Sequence, residues 1–273
     1  MKYLLPLGRC FYGAGIIGLG VQQFIYSAFR PVILSYWPSL FPGASTWAYV
    51  SGAFLILAGI IIIFSKKGRI ISLVLAILFF LLFLFFHVYY QLFLSPYEFH
   101  LGNWTDPLKE LALSGGAFVM AASFMEKRST PNGKLVLTLG RVFFALMLIA
   151  FGIDHFLYTA FVATLVPAWI PAHIFLTYFA AIALIGSGLC IMFKIKIQLA
   201  GILLGIMLFT WFVILHLPRA IDNPSINLGN EITSVFEALA FSGIALVISF
   251  LYRNNSYENK RSNFSSVQDG NQQ

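Results

Sequence analysis

Residues 70–87 read IISLVLAILFFLLFLFFH, and residues 199–216 read LAGILLGIMLFTWFVILH. Each run is 18 residues long, lacks formal charge and ends in a histidine. A helix needs about 20 apolar residues to cross the roughly 30 Å hydrocarbon core, so both runs read as membrane spans. A histidine at the same place in two spans is costly in lipid and marks a functional position. The two runs lie 129 residues apart. That spacing decides the fold: the chain reads as one membrane unit written twice.

Further matches surround these runs. Gly8-Arg9 recurs as Gly140-Arg141 and Gly20 as Gly152, at an offset of 132. Pro38 and Pro42 recur as Pro167 and Pro171, and Gly59 as Gly188, at 129. Leu101-Gly102-Asn103 recurs as Leu228-Gly229-Asn230, and Glu110 as Glu237, at 127. The offset drifts only in expected loops. Residues 47–64 and 174–193 are further uncharged runs. Such lengths favour helices over a transmembrane barrel, whose segments are short and alternating. The expected fold is an all-α integral membrane protein of eight transmembrane helices, arranged as two parallel-repeat four-helix bundles. The first unit covers 1–125, a cytoplasmic linker 126–139, the second unit 140–252, and a disordered cytoplasmic tail 253–273.

The chain is 59% hydrophobic and 10% charged, with a net charge of +7. The basic balance reports topology rather than a nucleic-acid partner. Fourteen of the 17 basic residues fall at one side of the expected spans; only Arg30, Lys109 and Arg219 fall on the other. The positive-inside rule then places both termini in the cytoplasm. Trp37, Trp47, Trp104 and Trp169 mark the outer boundary, as an aromatic belt does. Lys2 and the apolar residues after it lack an A-x-A-like cleavage site, so an uncleaved first span is expected. Cys10 and Cys190 form no CxxC and read as small packing residues. Arg9 and Arg141 read as cytoplasmic-end residues that snorkel and fix topology. The loops 35–43 and 166–173 each carry a P-x-x-x-P and are expected to form a structured outer cap.

Depth gathers the polar residues. Asp154 and His155 lie about 20 Å above Arg141 at 1.5 Å per residue. His216 lies about 27 Å above Gln198, and Glu237 about 10 Å below the outer surface. All fall in the outer third of the membrane. The first unit repeats the layer with His87 and Glu110, and places Gln22 and Gln23 where the second has Asp154 and His155. The candidate catalytic residues are Asp154, His155, His216, Glu237, His87 and Glu110, with His216 and Glu237 as candidate cofactor ligands. A carboxylate–histidine set can pass protons, hold a quinone head group or ligate a metal. No cysteine metal cluster is legible, and no spacing brings His87 and His216 to one haem. The plainer alternative is interhelical glue: Glu110 and Glu237 would pair with Lys109, Arg219 or the histidines. His100 and His173 read as ordinary loop residues.

The segments Gly140-Arg141, Gly152-Ile153-Asp154-His155-Phe156, Val166-Pro167-Ala168-Trp169-Ile170-Pro171 and His216-Leu217-Pro218 resemble the DoxX/DoxD-like family of small four-helix membrane proteins. The resemblance covers each unit almost end to end. In the first unit Gln23 replaces the histidine of the G-x-x-H-F pattern, and Val88-Tyr89 replaces the Leu-Pro. Relatives include a subunit of thiosulfate:quinone oxidoreductase. The resemblance implies a bacterial inner membrane and quinone or thiol redox work, with a quinone as the candidate cofactor, as in a membrane subunit of an oxidoreductase working with a redox partner protein. A proton-coupled transporter and a non-catalytic membrane scaffold are the rival readings.

Overall fold

The structure, a computed structural model, describes residues 3–34, 42–95, 100–126, 128 and 130–270, without the side chains of 253–270. Every regular element among the described residues is helical. In chain order these are α1 (Leu4–Tyr26), α2 (Ala44–Phe64), α3 (Gly68–Leu82), α4 (Tyr89–Phe93), α5 (Thr105–Ser123), α6 (Pro131–Leu157), α7 (Thr159–Thr164), α8 (His173–Phe193), α9 (Ile197–Trp211), α10 (Leu217–Asp222) and α11 (Asn230–Gly270). Seven helices are long and apolar enough to cross a membrane. The eighth expected span, α5, has 19 residues but carries Asp106, Lys109 and Glu110 in its first turns. Every residue of α5 from Glu110 to Ser123 is buried in protein. The apolar window of α11 is likewise 78% buried, against 28–44% for the other six. These two helices form the centre, and the rest surround them.

The helices pair in a closed order. α1 packs on α2 and α11, α6 on α8 and α5, α3 on α5, and α9 on α11. α5 and α11 meet across the middle. The two expected bundles do not close on themselves. α1 barely touches α5 and leans instead on α11; α6 leans on α5. Outward faces carry Ile60, Phe64, Ile77, Phe85, Ile182 and Ile206, all exposed. Inward faces hold Gln22, Gln23, His87, Glu110, Asp154 and Glu237, all buried. Polar groups inside and large apolar groups outside suit a lipid solvent.

Small residues set the closest approaches. A methyl group at Gly140 would meet the Gly115 carbonyl oxygen at 2.7 Å, and one at Gly201 would meet the Ala245 oxygen at 2.8 Å. Lipid gives helices no hydrophobic drive to associate, so such close contact supplies the attraction. Two serines, 128 residues apart, add similar bonds between long helices: Ser114 Oγ donates to the Ala76 oxygen and Ser242 Oγ to the Gly205 oxygen, each at 2.8 Å.

Several boundaries differ from expectation. Residues 131–139 of the linker are helix, because Thr130 Oγ1 accepts from Gly133 N at 3.2 Å and Pro131 opens α6. The backbone of the tail continues α11 to Gly270, and 271–273 lie outside the described residues. Most of the 35–43 cap, Trp37 included, also lies outside them. Cys10 is exposed rather than packed. The arginines do not snorkel freely. Arg9 donates to Ser123 Oγ at 2.9 Å and Ser123 O at 2.6 Å, at the end of α5, with its guanidinium 3.6 Å over the Phe124 ring. Arg141 donates to the Ile191 oxygen at 2.7 Å and to that of Met192, at the end of α8. Each cation satisfies carbonyls that a helix C-terminus leaves without partners.

Candidate functional site

The third long helix of each half widens into a π segment before its histidine. These segments are Phe83–Val88 and Phe212–His216. Phe83 and Phe212 stand at the same offset of 129 as the histidines. A π segment inserts a residue, rotates the side chains that follow and recurs at functional sites. Neither segment contains proline or glycine, so the apolar runs gave no sign of it.

In the first half the segment turns His87 fully into the protein. Its Nε2 lies 3.2 Å from Glu110 Oε2, and both side chains have zero exposure. The contact has ion-pair distance but not hydrogen-bond direction. Both ring nitrogens and both carboxyl oxygens are left without a formed hydrogen bond. The ring also lies beside the Val32 backbone, again without a directed bond. Four enclosed polar atoms in this state are uncommon, since most buried polar groups find partners. Nearby, Gln91 Nε2 donates to the Asn103 oxygen at 2.7 Å, while its Oε1 stays unpartnered.

The second half is built differently. Glu237 Oε2 lies 3.0 Å from Lys109 Nζ, and Lys109 also reaches Asp106 Oδ1 at 3.3 Å. Glu237 therefore meets a cation from the first half, as the glue alternative allowed. His216 lies in the field of Lys109, Arg219 and Glu231, and its Nδ1 has no partner. Arg219 grips Glu231 and donates to the Leu165 oxygen at 2.9 Å, tying α10 to α11 and to the end of α7.

Asp154 and His155 stand apart from that pair. Asp154 is 8% exposed, faces the His100 loop and leaves Oδ1 unpartnered. His155 Nδ1 is 2.7 Å from the Phe151 oxygen of its own helix. In the first half, Gln22 Nε2 donates to the Gly229 oxygen at 3.1 Å and its Oε1 accepts from Thr233. Gln23 Oε1 accepts from Ser51 Oγ at 2.6 Å. The six candidate residues thus form three groups: His87 with Glu110, Glu237 beside His216 through Lys109, and Asp154 with His155.

Sequence reading named Lys109 as a possible partner of the glutamates and Arg30 as an outer basic residue, but passed over Asp106, which holds Lys109 from its own helix, and the burial of Arg30. Arg30 is 1% exposed, donates to the Leu228 oxygen and sits 4.6 Å over the Tyr26 ring. Burial lowers its pKa below the ordinary guanidinium value. The signal for Lys109 was its place beside Glu110, one turn inside an apolar helix.

Among the described residues no group of three or more His, Cys, Asp or Glu side chains could hold a metal ion. An apolar cavity of about 410 Å³ lies between α2 and α3, with Phe29, Trp47, Ser51, Phe54, Phe79 and Phe86 in its wall. Phe86 precedes His87, and Ser51 is the hydroxyl bonded to Gln23. No family model matches this chain, and neither does any curated protein or solved structure.

Proposed function

We propose that this chain is a DoxX-like protein of a bacterial inner membrane that handles protons at a buried His–Glu layer near the outer leaflet, in service of quinone-linked redox chemistry. It spans eight times by tandem duplication, with α5 as the span that protein encloses and both termini cytoplasmic. The duplication is supported by the matched helix pairings, the matched serine bonds and the matched π segments. The orientation is supported by the 14 basic residues on one side.

One observation carries the function. His87 and Glu110 are wholly enclosed, 3.2 Å apart, and hold four polar atoms with no formed hydrogen bond. A carboxyl and an imidazole within this reach can pass one proton between them once a small turn of either side chain aligns Nε2 with Oε2. The enclosure admits protons rather than a bulky head group. The aromatic cavity beside Phe86 is where a lipophilic quinone fits. The test is purified protein in mild detergent, read by its oxidised-minus-reduced spectrum and by mass spectrometry of extracted lipophiles. Stoichiometric quinone, together with pH-dependent proton uptake that H87A/E110Q abolishes, is the expected result. A ligand-free protein with unchanged proton uptake in that variant sinks the reading.

Proton-coupled transport is the second reading, and the π segments favour it. Transporters alter helix geometry within the membrane, and the third long helix of each half, though unbroken, widens into a π turn here. Counterflow in liposomes distinguishes the two.

A further inference from the structure

Glu110 and Glu237 occupy matched places, yet the structure gives them unlike partners. Successive residues of a helix point about 100° apart. On α5, Glu110 therefore faces His87 in the first half while its neighbour Lys109 faces Glu237 on α11. At the 127 offset of the two glutamates, Phe236 stands where a second lysine would be, and Thr233 where Asp106 would be; at the 128 offset of the serine bonds and of the Gly8–Gly243 and Gly140–Gly115 contacts, Glu237 itself stands in the place of Lys109. So α11 returns no cation to Glu110, and the exchange of charge across the centre runs one way.

From this asymmetry we propose that the two halves have divided the work of the polar layer: His87 and Glu110 exchange the proton, and Lys109 holds Glu237 as a fixed carboxylate that ties α5 to α11. The inference deepens the proton-handling reading and rests on it. Lys109 is a positioning residue that touches no substrate.

The surroundings agree. Around Glu110 stand His87 from the first π segment and Asp106 and Lys109 from its own helix. Around Glu237 stand Lys109 and Asp106 from α5. Around Lys109 and His216 stand Arg219 from α10 and Glu231 from α11. The Glu237 carboxylate has a countercharge fixed 3.0 Å away in the Lys109 ammonium. A carboxyl facing an imidazole without a formed bond has no such lock. Proton uptake by the first pair adds one proton and one positive charge, shared between Glu110 Oε2 and His87 Nε2. The Lys109–Glu237 pair stays neutral in sum through the cycle.

The experiment is infrared difference spectroscopy of the full chain in lipid nanodiscs, stepped through pH. The protonated-carboxyl stretch is followed in wild type, E110Q, E237Q and K109M. The expected result is a titrating carboxyl band lost in E110Q and kept in E237Q. K109M should then gain a second band, which K109M/E237Q removes. A band lost in E237Q and kept in E110Q overturns the division of work, as does a K109M spectrum identical to wild type. A wild-type protein with no titrating carboxyl band overturns the proton-handling reading beneath it. Should K109M fail to assemble, K109M/E237Q removes both charges together, and the Glu110 band must persist in it.

Discussion

The two glutamates of the central helices show what residues recurring along the chain control and what they leave free. Glu110 and Glu237 enter their helices at matched positions, and both end up buried near a π segment with a histidine. Helix length, close glycine contact and the serine bonds repeat with them. The partner does not repeat. It depends on one unmatched residue, Lys109, and on the way α5 meets α11. Repetition fixes where a polar group sits; a single departure from it fixes what that group meets.

The largest expected effect breaks this contrast outright. Removing one member of a buried ion pair leaves the other charge enclosed and typically costs about 3–5 kcal/mol. K109M should therefore lower the thermal midpoint in detergent sharply, and K109M/E237Q should recover most of the loss. If the double variant is as unstable as K109M, the pair is not the source of the cost. E110Q should cost far less than E237Q, since Glu110 makes no formed hydrogen bond and its replacement by an amide strands no cation. Equal losses in the two glutamine variants would erase the distinction between the halves.

The matched arginines sharpen it next. Arg9 holds the end of α5 within its own half, and Arg141 holds the end of α8 within the other. Hydrogen bonds to a charged donor contribute about 1.5–3 kcal/mol each. R9A and R141A should each destabilise by about that amount, and R9A should loosen α5 in particular. Hydrogen exchange at 115–123 reads that directly. Unchanged protection there in R9A would mean that the arginine merely faces lipid headgroups.

Much of the fold was legible because lipid imposes long apolar runs, and these runs carry the repeat with them. The helix α5 was legible from Glu110 and its match at Glu237, although its own apolarity is too low for it to count among the seven apolar spans. The burial of His87, Glu110 and Glu237 was legible for the same reason. Their grouping was not. Depth along a span says nothing of azimuth, so Glu237 and His216 shared a level with Asp154 and His155 while facing different neighbours. The π segments add a further rotation that no residue in 83–88 or 212–216 announces. Closure of the helices across the two halves was also hidden, because short loops and a repeat are equally compatible with two separate bundles.

The smallest effect tests a first-half contact with no counterpart in the second. Ser51 Oγ donates to Gln23 Oε1 at 2.6 Å, where the second half has Ala180 and His155 at the matched places. His155 turns instead to the Phe151 oxygen of its own helix. The amide thus ties α1 to α2 beside the aromatic cavity, while the imidazole ties nothing outside α6. S51A removes one neutral hydrogen bond and should cost about 1 kcal/mol. It leaves the Gln23 oxygen buried, and Gln23 Nε2 is already without a partner. The loss should therefore appear as faster exchange at the Gln23 end of α1 and the Ser51 end of α2, with the second half unchanged. The reverse graft, A180S, should yield no gain, because the His155 ring is held by its Nδ1 against the Phe151 oxygen of its own helix and does not turn toward α8. A stabilised A180S would mean that His155 swings toward α8, and that the two halves are more alike in this layer than their hydrogen bonds state.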